Sequence, residues 1–491
     1  MEENGVLLAR HERRDRAAAH LQTRRLRWLA LAAAALVGVT LAAVLTSCRL
    51  DVGDSLRTTT TATDGESIER HFATKTAYWD QRWEDTQRVQ LERWMEEAAE
   101  PSRGLRLIQT QLVTRHGIRY PTLSPIKDIE ALLAKLAPFE TALPRWLRGY
   151  ALQYNQSVEG ELAETGSQEM ESLAIRQLAA HGHGTRRVVY SPRTFRLSHT
   201  QVQRTKDSAI APDPWTGRFS RRYFENPDEI EFIERPKHND TLLRFFDLCE
   251  RYQQDVKRNA NALAQMHAFA RSHAMATGLR QLQHALHLDA TASLNVKDLM
   301  SAFSACAFDV ALYDIRDQWC SLFTPETVAT LDYDDDLKAF YQLAGGYAIN
   351  YEMASVLLQD IVAVMDQRIS GASSIEGAFR FAHAETTLPL MTLLGFGDKT
   401  PLYASAAREQ IHRRGFRTSA LAPFGANIEF RLYAETRDKA TSPYYVQVIV
   451  NERDDVEVPG CGLVFCPLET LKTSLWRRFL YEYDFAQQCR A

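Results

Sequence analysis

Gln111-Leu-Val-Thr-Arg-His-Gly-Ile-Arg-Tyr-Pro-Thr122 closes an apolar run with an abrupt charged segment. Upstream, Leu105, Leu107 and Ile108 join Leu112 and Val113 in an apolar run of strand length. The run ends abruptly at Arg115-His116-Gly117, and Pro121, which has no N–H, keeps the strand from continuing. A histidine therefore stands at the carboxyl end of a buried strand, where open α/β sheets place their ligands. Arg115 and Arg119 flank it. Two guanidiniums so close repel unless an anion neutralises them, and their forked donors match phosphate oxygens. Gly117, lacking a Cβ, is expected to let a backbone N–H approach that anion.

The start of the chain has another character. Residues 1–27 hold seven arginines against four acidic residues, a net of +3, and Trp28 to Cys48 then runs without a charge. That length spans a bilayer as one helix, with the arginines on the cytosolic side. The expectation is a cytosolic tail at 1–27, a transmembrane signal anchor at 28–48 and a flexible stalk at 49–74. A cleaved signal peptide and a lipoprotein box at Leu45-Thr-Ser-Cys48 compete with the anchor. Everything after the anchor is expected to be lumenal or extracellular. Removing +3 from the chain's −4 leaves −7 for the remainder, so any basic pocket must be local. Nothing in the composition suggests a nucleic-acid binder.

Six cysteines follow the anchor, at 249, 306, 320, 461, 466 and 489. An even count beyond a membrane segment suggests three disulfides, with Cys461–Cys466 the local pair and the other connectivity open. No second cysteine or histidine pair sits near enough to make zinc the better reading. Asn155-Gln-Ser157 and Asn239-Asp-Thr241 are glycosylation acceptors in the secretory pathway.

Along the chain, a charged segment with Trp79, Trp83 and Trp94 reads as a helix opening the folded domain. Helices are expected at about Pro125–Leu136 and Leu162–Ala180, and a strand at Val188–Ser191. His181-Gly-His183-Gly, with no carboxylate partner in view, reads as a turn. Asp240 to about Ile369 reads as mostly helical. Its acidic run Asp332-Tyr-Asp-Asp-Asp336 fits no EF-hand loop and reads as a solvated helix start. Ala378–Ala382 returns to buried strand and ends in His383-Ala384-Glu385, ahead of another helix. Strands follow at Ile428–Tyr433 and Tyr444–Val450.

Arg115-His-Gly-x-Arg-x-Pro-Thr resembles the active-site motif of the histidine phosphatases, in their acid-phosphatase branch. His383-Ala-Glu385, in place of the usual His-Asp, resembles the multiple inositol polyphosphate phosphatases. So do the Leu243-Arg-Phe-Phe-Asp247 run, the Trp319-Cys320 pair, the Asn451-Glu strand end and the Cys461–Cys466 loop. The resemblance covers about residue 75 to the end, and departs from the family pattern at Ala211-Pro-Asp-Pro-Trp215.

It implies an α/β fold, with a central mixed sheet flanked by helices and an inserted α-helical domain; the single transmembrane helix expected from the uncharged run precedes the part it covers. The core then occupies 75–211 and 370–491, and the insertion 212–369. His116 would be the nucleophile and carry a phosphohistidine, and Glu385 the proton donor. Arg115, Arg119, Arg204 and His383 would bind substrate. Arg204 takes its role from an Arg-Thr-x-x-Ser-Ala element, with Arg193 and Arg196 as rivals nearer the strand. The implied substrate is a small anionic phosphate ester, phytate-like, without a metal or cofactor. A general ecto-acid or bisphosphoglycerate-type phosphatase, and a membrane-displayed binding protein without turnover, are the alternatives.

Overall fold

The structure, a computed structural model, describes residues 68–78, 104–210, 218–436 and 443–491. The expected tail, anchor and tryptophan-rich helix, and the 211–215 departure, lie outside these. The end of the expected stalk lies inside them and is folded: Phe72 is fully buried in the helical core.

Seven strands form one mixed sheet. They are β1 (Leu105–Arg115), β2 (Phe195–Thr200), β3 (Phe232–Arg235), β4 (Gly377–Ala382), β5 (Asn427–Glu435), β6 (Tyr444–Val450) and β7 (Phe465–Pro467), in the order β3-β2-β4-β1-β5-β6-β7. β1, β4, β2 and β3 run parallel, whereas β5, β6 and β7 continue antiparallel. Parallel strands need helical crossovers, which cover both faces and leave strands that are apolar throughout. β4 is buried at all six residues, and its one charged member, Arg380, is paired with Asp360.

The principal helices are α1 (Leu123–Leu136), α2 (Glu164–Ala180), α3 (Gln203–Ala209), α4 (His273–Ala285), α5 (Val296–Tyr313), α6 (Pro325–Leu343), α7 (Ser355–Ile369) and α8 (Ala384–Leu393). Adjacent strand residues point to opposite faces. Leu112 of β1 thus joins Leu197, Phe379 and Phe381 against Met170, Leu173 and Leu178 of α2. Its neighbour Val113 joins Ile428, Phe430 and Val448 against Leu358 and Ile361 of α7 and Leu390 of α8. Among the described residues, Ala348–Ile369 is long and apolar enough to cross a bilayer, but it is 67% buried within the protein, as a core helix is. α1, α4, α5 and α6 share a separate helical core.

Two sequence expectations are corrected here. Val188–Ser191 contributes only an isolated bridge, from Val188 to Phe224, and the strand lies at Phe195–Thr200. The stronger partner is β4, whose register pairs Phe195 with Gly377. The acidic run is not a solvated helix start. It lies inside α6 with Asp332 and Asp336 fully buried, both paired with Arg414. The N–H groups of Ala73 and Thr418 donate to them as well. Burying two carboxylates is tolerable only with such compensation.

Three disulfides are present: Cys461–Cys466, Cys249–Cys489 and Cys306–Cys320.

Candidate active site

β1 and β4 are parallel neighbours, with Arg115 opposite Ala382, and the His116 N–H donates to the Ala382 carbonyl. The next residues on the two strands, His116 and His383, therefore leave the sheet side by side, their ring centroids 5.8 Å apart. A cavity of about 250 Å³ opens there. Arg115, His116, Arg119, Arg204, Ala384 and Glu385 line its floor. Residues 73–75 and one side of α6 form its walls. Six cationic side chains and two carboxylates line it, the local basic cup that an acidic chain requires.

The His116 Nδ1 lies 2.9 Å from the Gly117 carbonyl oxygen. A carbonyl only accepts, so the ring hydrogen is on Nδ1 and Nε2 keeps its lone pair. Burial, then Arg115, Arg204, Arg119 and His383, hold its pKa well below the ordinary 6.5. The ring is neutral. His383 is neutral for the same reasons, burial first and then Arg204 and Arg244. Its Nε2 lies 3.0 Å from Nη1 of Arg244 and 2.9 Å from Oγ1 of Thr200. A guanidinium has only hydrogens to give, so that Nε2 accepts and the ring hydrogen sits on Nδ1.

Burial and Arg119 bring the Arg115 pKa down to about 9, and burial and Arg204 bring that of Arg119 down to about 10. Both remain cations at neutral pH. Arg115 is held by the carbonyls of Thr74 and Ala422 and lies over the Phe424 ring, 4.4 Å from its centroid. The buried Nε–H groups of Arg115, Arg119 and Arg204 have no acceptor among the described residues. Crowded cations with spare donors suit an anion.

The histidine phosphatase superfamily (branch 2) matches residues 106–451. This chain belongs to that superfamily. Among its relatives are the multiple inositol polyphosphate phosphatase 1 of Homo sapiens, 31% identical over 70% of this chain and 74% of the relative, and that of Gallus gallus, 32% identical over 70% and 76%. The fold is also that of the phytase from D. castellii, at TM-score 0.62 and 16% identity, covering 79% of this chain and 82% of that one. A Bifidobacterium longum multiple inositol polyphosphate phosphatase complexed with inositol hexasulfate gives TM-score 0.62 at 15% identity, covering 86% and 100%.

In this histidine phosphatase Arg204 lines the cavity from α3, whereas its rivals do not. Arg193 is exposed in the loop before β2, and Arg196 pairs with Asp360. Ser208, at the end of the same helix, accepts the Gly117 N–H at 3.1 Å. That N–H is therefore spent within the protein. The glycine is needed for a different reason: a Cβ on it would lie 2.4 Å from the Gly166 carbonyl oxygen.

His181–Gly184 is a turn, as expected, but the absence of a carboxylate partner needs correcting. Its missing carboxylate comes from β5, where Glu429 lies 2.6 Å from His181 Nε2.

Two residues of this phosphatase's site escaped the sequence reading. Arg244 sits in the Leu243-Arg-Phe-Phe-Asp247 run, which was a signal for it. Glu169 had none. Buried in α2, it accepts the N–H groups of Tyr78 and Ile118, both at 3.0 Å, and pins the loop after His116. Burial pushes its pKa up to about 7.

Proposed function

We propose that this histidine phosphatase hydrolyses phosphate monoesters of inositol polyphosphates, phytate among them, through a phosphohistidine on His116. The observation that carries the chemistry is the neutral His116, its Nδ1–H spent on Gly117, facing a cavity lined by three arginines and Glu385. Nε2 attacks phosphorus in line, the ester P–O bond breaks, and Glu385 protonates the departing oxygen. Glu385 then takes a proton from water as that water attacks phosphorus; the P–N bond breaks and its electron pair returns to Nε2, which restores His116. Arg115, Arg119, Arg204 and His383 stabilise the charge that spreads over the equatorial oxygens. The named activity of the human and chicken relatives supports the substrate class.

Within this reading, residues 75–211 and 370–491 form the catalytic core and 212–369 an insertion. The three disulfides support an oxidising compartment, consistent with a domain displayed outside the cytosol by an anchor at 28–48. Labelling of free thiols in the native protein tests this; six reactive cysteines would rule it out.

Glu385→Gln tests the chemistry. General-acid help is worth ~10²–10⁴-fold and matters most for a poor leaving group. Nitrophenolate leaves unaided and an inositol alkoxide does not. The variant should lose much more activity on inositol hexakisphosphate than on nitrophenyl phosphate. Equal losses without a burst of product would mean that Glu385 only positions substrate.

A further inference from the structure

Besides the arginines, the cavity is lined by Lys75, Lys257 and Lys338. Lys257 and Lys338 are exposed, whereas Lys75 is engaged: its Nζ lies 2.8 Å from Asp335 Oδ2, with both side chains 19% exposed. Asp335 stands in α6, one turn before Lys338. Its carboxylate therefore enters a cavity in which, Glu385 apart, the charged side chains are all cationic.

A structural purpose for the pair is hard to find, because the segment bearing Lys75 is already tied down. Its Ala73 N–H donates to Asp332, its Thr74 carbonyl accepts Arg115, and its Thr76 carbonyl accepts the Phe424 N–H. Lys75 is thus held in place by main-chain bonds, and the Asp335 contact adds charge balance.

We propose that Lys75, Lys257 and Lys338 form a second anion subsite, and that Asp335 is its internal counter-ion, which a second phosphate of the same substrate displaces from Lys75. This deepens the inositol polyphosphate reading and rests on it for the substrate class. A monoester at His116 leaves the Lys75–Asp335 pair closed. A polyphosphate with a neighbouring phosphate opens it, exchanging one carboxylate contact for contacts to a more highly charged group. Asp335 thus lowers the affinity of the subsite for polyanions, and with it the selectivity of the enzyme for them over monoesters.

The test uses the full chain and a probe that is not hydrolysed, so that it reads the subsite apart from turnover. Calorimetry gives the affinities of inositol hexasulfate and inorganic phosphate for wild type, Asp335→Asn and Lys75→Gln, at low salt and at 1 M. Exposed ion contacts of this kind are worth a few-fold in affinity, up to about tenfold when charge-assisted. Asp335→Asn should raise the ratio of hexasulfate to phosphate affinity about three- to tenfold, and Lys75→Gln should lower it by a similar factor. At about 1 M salt the screening length is about 3 Å, so a long-range field effect collapses while a direct contact persists. A ratio unchanged or lowered in Asp335→Asn overturns the proposal, as does a gain that vanishes at high salt. A lower melting temperature with an unchanged ratio would make the pair structural, and also overturns it. If the ratios move as expected but wild type releases no phosphate from inositol hexakisphosphate, the subsite stands and the hydrolytic reading falls.

Discussion

Gly117 and Gly166 meet backbone to backbone: a Cβ on the first would lie 2.4 Å from the carbonyl oxygen of the second, and a Cβ on the second 2.0 Å from the Ile118 carbonyl oxygen. The contact seats the start of α2 against the loop that follows His116. From there Glu169, one turn later on the same helix, receives the Ile118 N–H. The shape of the candidate catalytic loop is therefore set by a helix that supplies none of the cavity's reactive groups.

Gly117→Ala and Gly166→Ala should each cost about 1–3 kcal/mol, the usual cost of overpacking where the neighbour is rigid backbone. Activity should fall by more than stability alone explains, because the loop and Arg119 move together. Chemical denaturation beside kcat/KM separates the two effects. A folded variant with wild-type kcat/KM would show that the contact does not position the loop.

His116→Ala should abolish turnover, by at least about 10⁴-fold if it is the nucleophile. Phosphohistidine is acid-labile, so a rapid quench of wild type must be alkaline, and labelled substrate should then leave phosphate on His116. Absence of that label would exclude the covalent route. Protonation disables the nucleophile, and burial with its four cationic or imidazole neighbours depresses its pKa. The acid limb belonging to His116 should accordingly fall well below pH 6.5.

Arg244→Gln should release His383 from its Nδ1–H tautomer, since the amide can present its oxygen as well as its N–H groups to Nε2. kcat should fall about 10–100-fold, the size typical of an orienting partner one step removed from the reacting group. Nitrogen chemical shifts of labelled histidine report the tautomer directly. Loss of activity with the His383 tautomer intact would instead point to a direct electrostatic role for Arg244.

Asp309, buried in α5, has no hydrogen-bond partner for either carboxylate oxygen among the described residues, and burial pushes its pKa up to about 7. Unfolded, the group titrates near its ordinary 3.8. Between these values the folded state holds the proton that the unfolded state has released, so this group's contribution to stability falls as pH rises and levels off above 7. Asp309→Asn should remove that slope. Its stability relative to wild type should climb from pH 4 to 7 by at most about 4 kcal/mol, at 1.36 kcal/mol per pH unit. Urea melts across that range measure it, and parallel profiles would show that Asp309 is ionised when folded.

The amino-acid sequence by itself determined the two strand ends and what they carry. Apolar runs broken by Arg-His-Gly and by His-Ala-Glu are local patterns, and a strand that stops at a charged residue exposes that residue wherever the sheet lies. Tyr444–Val450 and the Cys461–Cys466 bridge were legible for the same reason. Tertiary structure alone decided what depended on partners distant in sequence. The acidic run of α6 is buried because Arg414, 78 and 82 residues away, reaches Asp336 and Asp332. His181 found its carboxylate on β5, and Arg244 meets His383 across 139 residues. The Gly117 N–H turned to Ser208 because α3, packed against α2, β2 and β4, brings that hydroxyl to it. At the site itself the parallel pairing of β1 and β4 brings His116 and His383 together, residues that no sequence window holds.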